Sequence, residues 1–189
     1  MRADTAAPRR RTVIALALVV AGALGSGLAI SAGYAAPEPT SADLTSAEAA
    51  AHAPIAFPQG YTRWTHIKSG LIPAGHPAFA SYGGLHHIYA NELALAGYRD
   101  GRFADGAMLA YDLFETRVTP DGSIDQGPRR HVDVMVKDAR RYAATGGWGY
   151  AEFAAGADAD RLNSGQRAGC AACHEHRKAQ GYVFSELQG

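Results

Sequence analysis

The chain has 189 residues, with 18 Lys and Arg against 18 Asp and Glu, and 47% of it is hydrophobic. Balanced charge offers no footprint for nucleic acid or another polyanion, and the length beyond the N-terminal leader, roughly 150 residues, suits one domain with a genuine core. Two cysteines are too few for a disulfide framework.

Arg2, Arg9, Arg10 and Arg11 form a positive head, Thr12 to Ala32 is almost uncharged, and Gly33-Tyr34-Ala35-Ala36 supplies small residues at its exit. This order predicts a cleaved secretory signal over residues 1–35. The alternative is an uncleaved N-terminal membrane anchor, because the apolar run is long enough to cross a bilayer. Either reading places the functional part outside the cytoplasm, periplasmic or otherwise exported. Without the leader, 14 basic and 17 acidic residues remain, a formal charge of −3.

Residues 36–57 read as a linker with one short helix. Pro37, Pro39, Thr40 and Ser41 are poor core material, whereas Thr45-Ser46-Ala47-Glu48 has capping-box spacing before an alanine run that ends at Pro54. His52 reads there as exposed. From residue 58 to 189 the pattern is that of a single domain.

Tyr61 to Ile67 mixes aromatic, β-branched and polar residues and predicts a strand or the mouth of one. Leu85 to Ala90 is a second strand candidate, and Asn91 caps a short helix predicted through Ala96, with Gly97 as its stop. The Asp105-Gly106 turn leads into Ala107 to Glu115, expected to be the longest strand; Leu109, Tyr111 and Leu113 alternate on one face of it. Asp121-Gly122 marks the next turn. His131-Val132-Asp133-Val134-Met135-Val136 alternates polar with apolar, as a sheet with one buried face does. A helical turn at Arg140-Arg141-Tyr142 precedes a fifth strand, Trp148 to Phe153. The expected fold is α+β: an antiparallel β-sheet with short helices and a C-terminal haem-attachment helix.

That helix takes its name from Cys170-Ala171-Ala172-Cys173-His174. Two thiols about one helical turn apart can each add to one vinyl group of a porphyrin, and the adjacent imidazole then reaches the iron. Three rivals fit less well. A thioredoxin-like dithiol belongs early in a βαβ unit, a closed zinc site needs two further ligands, and a disulfide within four residues closes almost no loop. The spacing therefore predicts one covalent haem c, attached at Cys170 and Cys173, with His174 as iron ligand. Small all-helical carriers place such a motif early and close the sixth position with a later methionine. Here none follows His174, which leaves Met108 or Met135, both in predicted strands.

The ordered pieces Gly60-Tyr61-Thr62-Arg63-Trp64, Ile88-Tyr89-Ala90-Asn91, Phe103-Ala104-Asp105-Gly106, Val136-Lys137-Asp138-Ala139-Arg140-Arg141-Tyr142, Gly147-Trp148-Gly149-Tyr150 and the cysteine motif together resemble the cytochrome P-460 family, including cytochrome c′-beta. The resemblance implies a homodimer of mostly antiparallel sheet with one haem per chain. It also implies five-coordinate iron whose open face serves small nitrogen ligands, and an activity of oxidising hydroxylamine or binding nitric oxide.

One position departs from the family pattern. Hydroxylamine-oxidising members cross-link a strand lysine to the porphyrin edge, and alignment on Phe103 to Gly106 puts Tyr111 in that place. Enzymatic hydroxylamine oxidation is thereby in doubt, and nitric oxide binding is favoured. The resemblance further implies Asp133 as a carboxylate near the iron able to shuttle protons, with a solvent-facing aspartate as the alternative. His86 falls where relatives carry a basic residue on the haem face; from the residues alone a surface or satisfied histidine is the plainer reading. Asp133, Tyr111 and His86 are thus the candidates for the reacting face. Trp64 and Trp148 read as core or dimer contacts, and His176 as exposed. The expected partners are a small nitrogen ligand, a periplasmic redox partner and a second copy of the chain. The competing class is a six-coordinate electron carrier without a substrate.

Overall fold

Five strands form one antiparallel sheet in which spatial order equals chain order. They are β1 (Thr65–Ile72), β2 (Gly84–Ala90), β3 (Met108–Val118), β4 (Ile124–Lys137) and β5 (Trp148–Ala154). Helix α1 (Phe79–Tyr82) lies between β1 and β2, α2 (Glu92–Asp100) between β2 and β3, and α3 (Ser164–Glu175) follows β5. The architecture is α+β, with the cysteine motif on the last helix. This computed structural model describes residues 54–188. The predicted leader, the short helix before Pro54 and His52 lie outside the described residues.

Several elements differ from the sequence expectation for physical reasons. Tyr61–Arg63 is a 3-10 turn rather than strand. Tyr61 is buried there, and its hydroxyl donates to Asp112 Oδ2 at 2.6 Å. Helix α2 does not stop at Gly97 but runs to Asp100, where Gly101 takes the left-handed conformation at φ 71°. Gly97 is a packing residue: a Cβ there would sit 2.3 Å from Phe103 Cδ1. The longest strand is β4, with 14 residues against 11 in β3. Its first half holds Gly127 and Pro128 where the register slips between the pairs Phe114↔Arg129 and Thr116↔Gln126. At such a bulge a proline costs no ladder hydrogen bond. The turn expected at residues 140–142 is held by Asp138, whose Oδ1 accepts from the backbone of Arg140 and Arg141, and the 3-10 turn proper follows at Ala143–Thr145. Helix α1 has no counterpart in the sequence reading.

Residues paired directly across antiparallel strands share a face. Three cross-strand rows define one face: His86, Leu113, His131 and Ala154; Ile88, Tyr111, Asp133 and Glu152; Ala90, Leu109, Met135 and Tyr150. The last row belongs to an apolar core with Ile67, Ala94, Leu95, Ala107, Trp148 and Val183, against which Cys170 and Ala171 pack. The opposite face buries Ala110, Val132, Val134, Ala151 and Phe153 against Ile55 and Tyr61. The valines of the alternating stretch therefore point away from the haem motif, and its polar residues point toward it. Met108 packs on the valine face, while Met135 packs on the other. Trp148 is a core residue at 1% exposure, and Trp64 packs partly buried on the valine face.

Helix ends fix the elements around the site. Asn91 Oδ1 accepts from Ala94 N and Met108 N, and its amide donates to Gly106 O, so one side chain ties the start of α2 to the start of β3. Asn163 and Gln166 form a reciprocal capping box at the start of α3, each bond 2.9 Å long. Arg167, one turn later, donates to Tyr150 O at 2.6 Å and Leu162 O at 2.9 Å and pairs with Asp160 at 2.6 Å. These contacts fasten the haem-motif helix to β5.

Candidate functional site

The motif occupies the C-terminal part of α3. His174 Nδ1 donates to the Tyr182 carbonyl at 2.7 Å, which fixes the tautomer and leaves the Nε2 lone pair free. Burial lowers the His174 pKa and the bond to Tyr182 partly offsets it, so the imidazole is neutral, as a metal ligand must be. Its ring lies 5.0 Å from the rings of both Tyr150 and Phe184. Tyr182 holds its carbonyl in place at φ 69°, the positive-φ position among described non-glycine residues. A left-handed tyrosine is strained by about 1–2 kcal/mol, and such strain persists where surrounding contacts over-determine it.

Cys170 is half-buried and Cys173 exposed, both as free thiols. Burial first, and then the charges of Asp133 and Glu152, push the Cys170 thiol up to about 11. A redox dithiol requires the reverse, a stabilised thiolate, so the thioredoxin-like alternative fails on electrostatics. The zinc alternative also lacks partners. Among the described residues the one cluster of three or more candidate ligands is His131, Asp133 and Glu152, and neither cysteine belongs to it.

The three predicted reacting-face residues come together on the sheet face that the motif helix covers. Tyr111 and Asp133 are direct cross-strand partners. His86 stacks on Tyr111, ring centroids 4.5 Å apart and planes 22° from parallel. It is neither a surface nor a satisfied histidine: it is 9% exposed, and its Nδ1 has no hydrogen-bond partner. Gly70 on β1 makes room for it, since a Cβ there would lie 2.7 Å from the ring. Burial, then the charges of Lys68 and His87, lower the His86 pKa to about 4. Burial and the neighbouring Asp133 raise the Tyr111 phenol, so it stays neutral. Asp133 is no freely solvated aspartate. Desolvation is the largest influence and pushes its carboxyl above the usual range, Glu152 adds to the rise, and His131 opposes it.

Sequence reasoning missed three neighbours. His131 is 6% exposed at the side chain, and Glu152 is 19% exposed with Arg161 against its Oε1. Tyr82, at the end of α1, sets its ring edge-on to Tyr111 and His131 at 6.0 and 6.4 Å. The alternation that revealed β4 and β5 held the signal for His131 and Glu152, because both belong to the polar set facing the motif. Arg177 and Lys178 lie apart from this cluster, over the Phe184 ring and beside Glu175 respectively, and His176 is exposed.

A haem fits these residues on grounds of polarity. His86 Nδ1, Tyr111 Oη, His131 Nε2 and Tyr150 Oη are buried on this one face without hydrogen-bond partners. Each orphan of this kind costs about 1–3 kcal/mol unless something outside the polypeptide engages it. Four on one face, beside two thiols and a neutral imidazole with a free lone pair, call for a prosthetic group and its ligand or water there. No curated protein matches the chain. Residues 58–185, more than half of the sequence, match the family described as Cytochrome P460, and the chain belongs to that family of haem c proteins.

Proposed function

We propose that the chain is an exported mono-haem c-type cytochrome, its haem held by thioethers at Cys170 and Cys173. In this reading five-coordinate iron, with His174 as its protein ligand, binds or redox-converts small nitrogen species, nitric oxide before hydroxylamine. The single observation that carries it is the set of unpartnered polar atoms, His86 Nδ1, Tyr111 Oη and Tyr150 Oη, on the face that the motif helix covers. When bound, the haem supplies an iron that takes up the nitrogen ligand and exchanges electrons. The polypeptide does the rest. Tyr182 orients His174 through Nδ1. Asp133, with its raised pKa, holds or releases a proton at its carboxyl oxygen near neutral pH. Leu109 and Leu113 flank Tyr111 along β3 and keep water from the phenol, both being 5% exposed or less.

Tyr111 in place of the cross-linking lysine supports nitric oxide binding over hydroxylamine turnover. A neutral phenol is a poor nucleophile toward a porphyrin edge, and burial raises its pKa further. The same reading includes a homodimer, a periplasmic redox partner and removal of the leader. Met108, on the opposite face, is no candidate for a sixth ligand.

Absorption spectra of the oxidised and reduced protein, with and without nitric oxide, test the proposal. The expected result is a five-coordinate high-spin ferrous spectrum that shifts on adding nitric oxide. A low-spin six-coordinate resting spectrum, abolished by Met135→Ala or by replacing a second histidine, would establish an electron carrier instead. Acid extraction followed by mass spectrometry checks attachment: the mature chain keeps the mass of one haem.

A further inference from the structure

The candidate haem face also carries three ligand atoms close enough together to hold a cation of their own. His131 comes from β4, as does Asp133 two residues on, and Glu152 comes from β5, directly across from Asp133. Their ligand atoms all lie within 4.8 Å of one another. His131 Nε2 is 3.4 Å from Asp133 Oδ2 and 3.8 Å from Glu152 Oε2.

The imidazole is the informative member. Its side chain is 6% exposed, and Nε2 points between two carboxylates with no hydrogen-bond partner. As a donor, Nε2–H would close on one oxygen to about 2.9 Å; as an acceptor it faces two anions across a gap that a bound cation would make favourable. Three donors bonded to one divalent ion at about 2.0–2.2 Å stand roughly 3–3.6 Å apart. The observed spacings come within a small side-chain rotation of that. Charge agrees: Arg161 engages Glu152 through Oε1 and leaves Oε2 toward the cluster, and the nearby Tyr82 and Tyr111 phenols are neutral. One imidazole nitrogen with two carboxylates suits manganese, iron(II) or zinc better than magnesium or calcium, which favour oxygen alone, or copper(I), which favours sulfur.

We infer that His131, Asp133 and Glu152 form a binding site for one first-row divalent cation of the manganese, iron(II) and zinc class, separate from the haem iron. The inference stands whether or not the haem serves nitric oxide, because its test reads cation uptake and not turnover.

Room-temperature electron paramagnetic resonance of Mn²⁺ titrated into the haem-loaded full chain counts the free ion directly. One saturable Mn²⁺ per chain, displaced by Zn²⁺, is the expected result. His131→Gln and Glu152→Gln should each weaken uptake at least tenfold, with an unchanged far-ultraviolet circular dichroism spectrum and thermal midpoint certifying the fold of each variant. Should either variant misfold, Glu152→Asp supplies the intact comparison, with an affinity between wild type and none. No saturable uptake of Mn²⁺ or Zn²⁺ by the wild type, or uptake unaltered in the folded variants, would overturn the inference. Uptake without any response to nitric oxide would leave the cation site standing and remove the nitrogen reading alone.

Discussion

Replacing His86 with Phe should remove a pH liability while keeping a ring stacked on Tyr111. The wild-type imidazole is buried, with its pKa lowered to about 4 by desolvation first and then by Lys68 and His87. In the unfolded chain the same group titrates near 6.5. Between those values the unfolded state binds more protons than the folded one, so His86 favours folding fully above about pH 6.5 and loses that contribution as pH falls toward 4. The full difference corresponds to about 3 kcal/mol. Solvent screening near Lys68 reduces the measurable part to about 1–2 kcal/mol. Urea unfolding followed by far-ultraviolet circular dichroism at pH 7.0 and 4.5, for wild type and His86→Phe, isolates it. The wild type should lose about 1–2 kcal/mol more than the variant over that interval, and NMR titration should find the His86 ring neutral down to about pH 4. Parallel losses in the two proteins, or a ring that titrates at 6.5 in the folded state, would refute the reasoning.

Other perturbations probe the scaffold and the site. Asn163→Ala should cost about 1 kcal/mol by opening the capping box of the haem-motif helix, read as a lower thermal midpoint. Gly97→Ala should destabilise by about 1–3 kcal/mol even though alanine favours helices, because its Cβ would meet the Phe103 ring; chemical denaturation measures this. Tyr111→Phe should leave haem attachment intact and nitric oxide affinity within a few-fold, while Tyr111→Lys should yield a second haem-bearing peptide besides the one that holds both cysteines; a wild-type peptide of that kind containing Tyr111 would contradict the neutral phenol.

Much of the fold was legible because its signals are local. Asn91 announces a helix start through short-range hydrogen bonds, and the His131 to Val136 alternation fixes which residues share a face. What escaped depends on contacts distant in sequence. Gly97 reads as a helix stop until Phe103 is seen filling the space beside it. The reach of β4 back through Gly127 and Pro128 depends on the bulge opposite Phe114 to Thr116 that accommodates them. At the site, Asp133, Tyr111 and His86 follow from the resemblance, whereas the alternation of a sheet with one buried face turns His131 toward water and nothing in the β5 stretch singles out Glu152. In a sheet covered on both sides that expectation fails, and polarity on the inner face becomes a mark of chemistry.

The serial strand order bears on how such a chain matures. Every strand pairs only with its neighbours in sequence, so each pairing closes a short loop and needs no later segment. The sheet against which α3 packs is finished at Ala154, and α3 begins only at Ser164. In the export proposed above, N-terminus first, the chain would assemble its sheet while the cysteine motif is still in transit. The helix that bears the thiols then arrives as a latch on a completed frame, and the moment between arrival and docking is the window in which a porphyrin must be fitted.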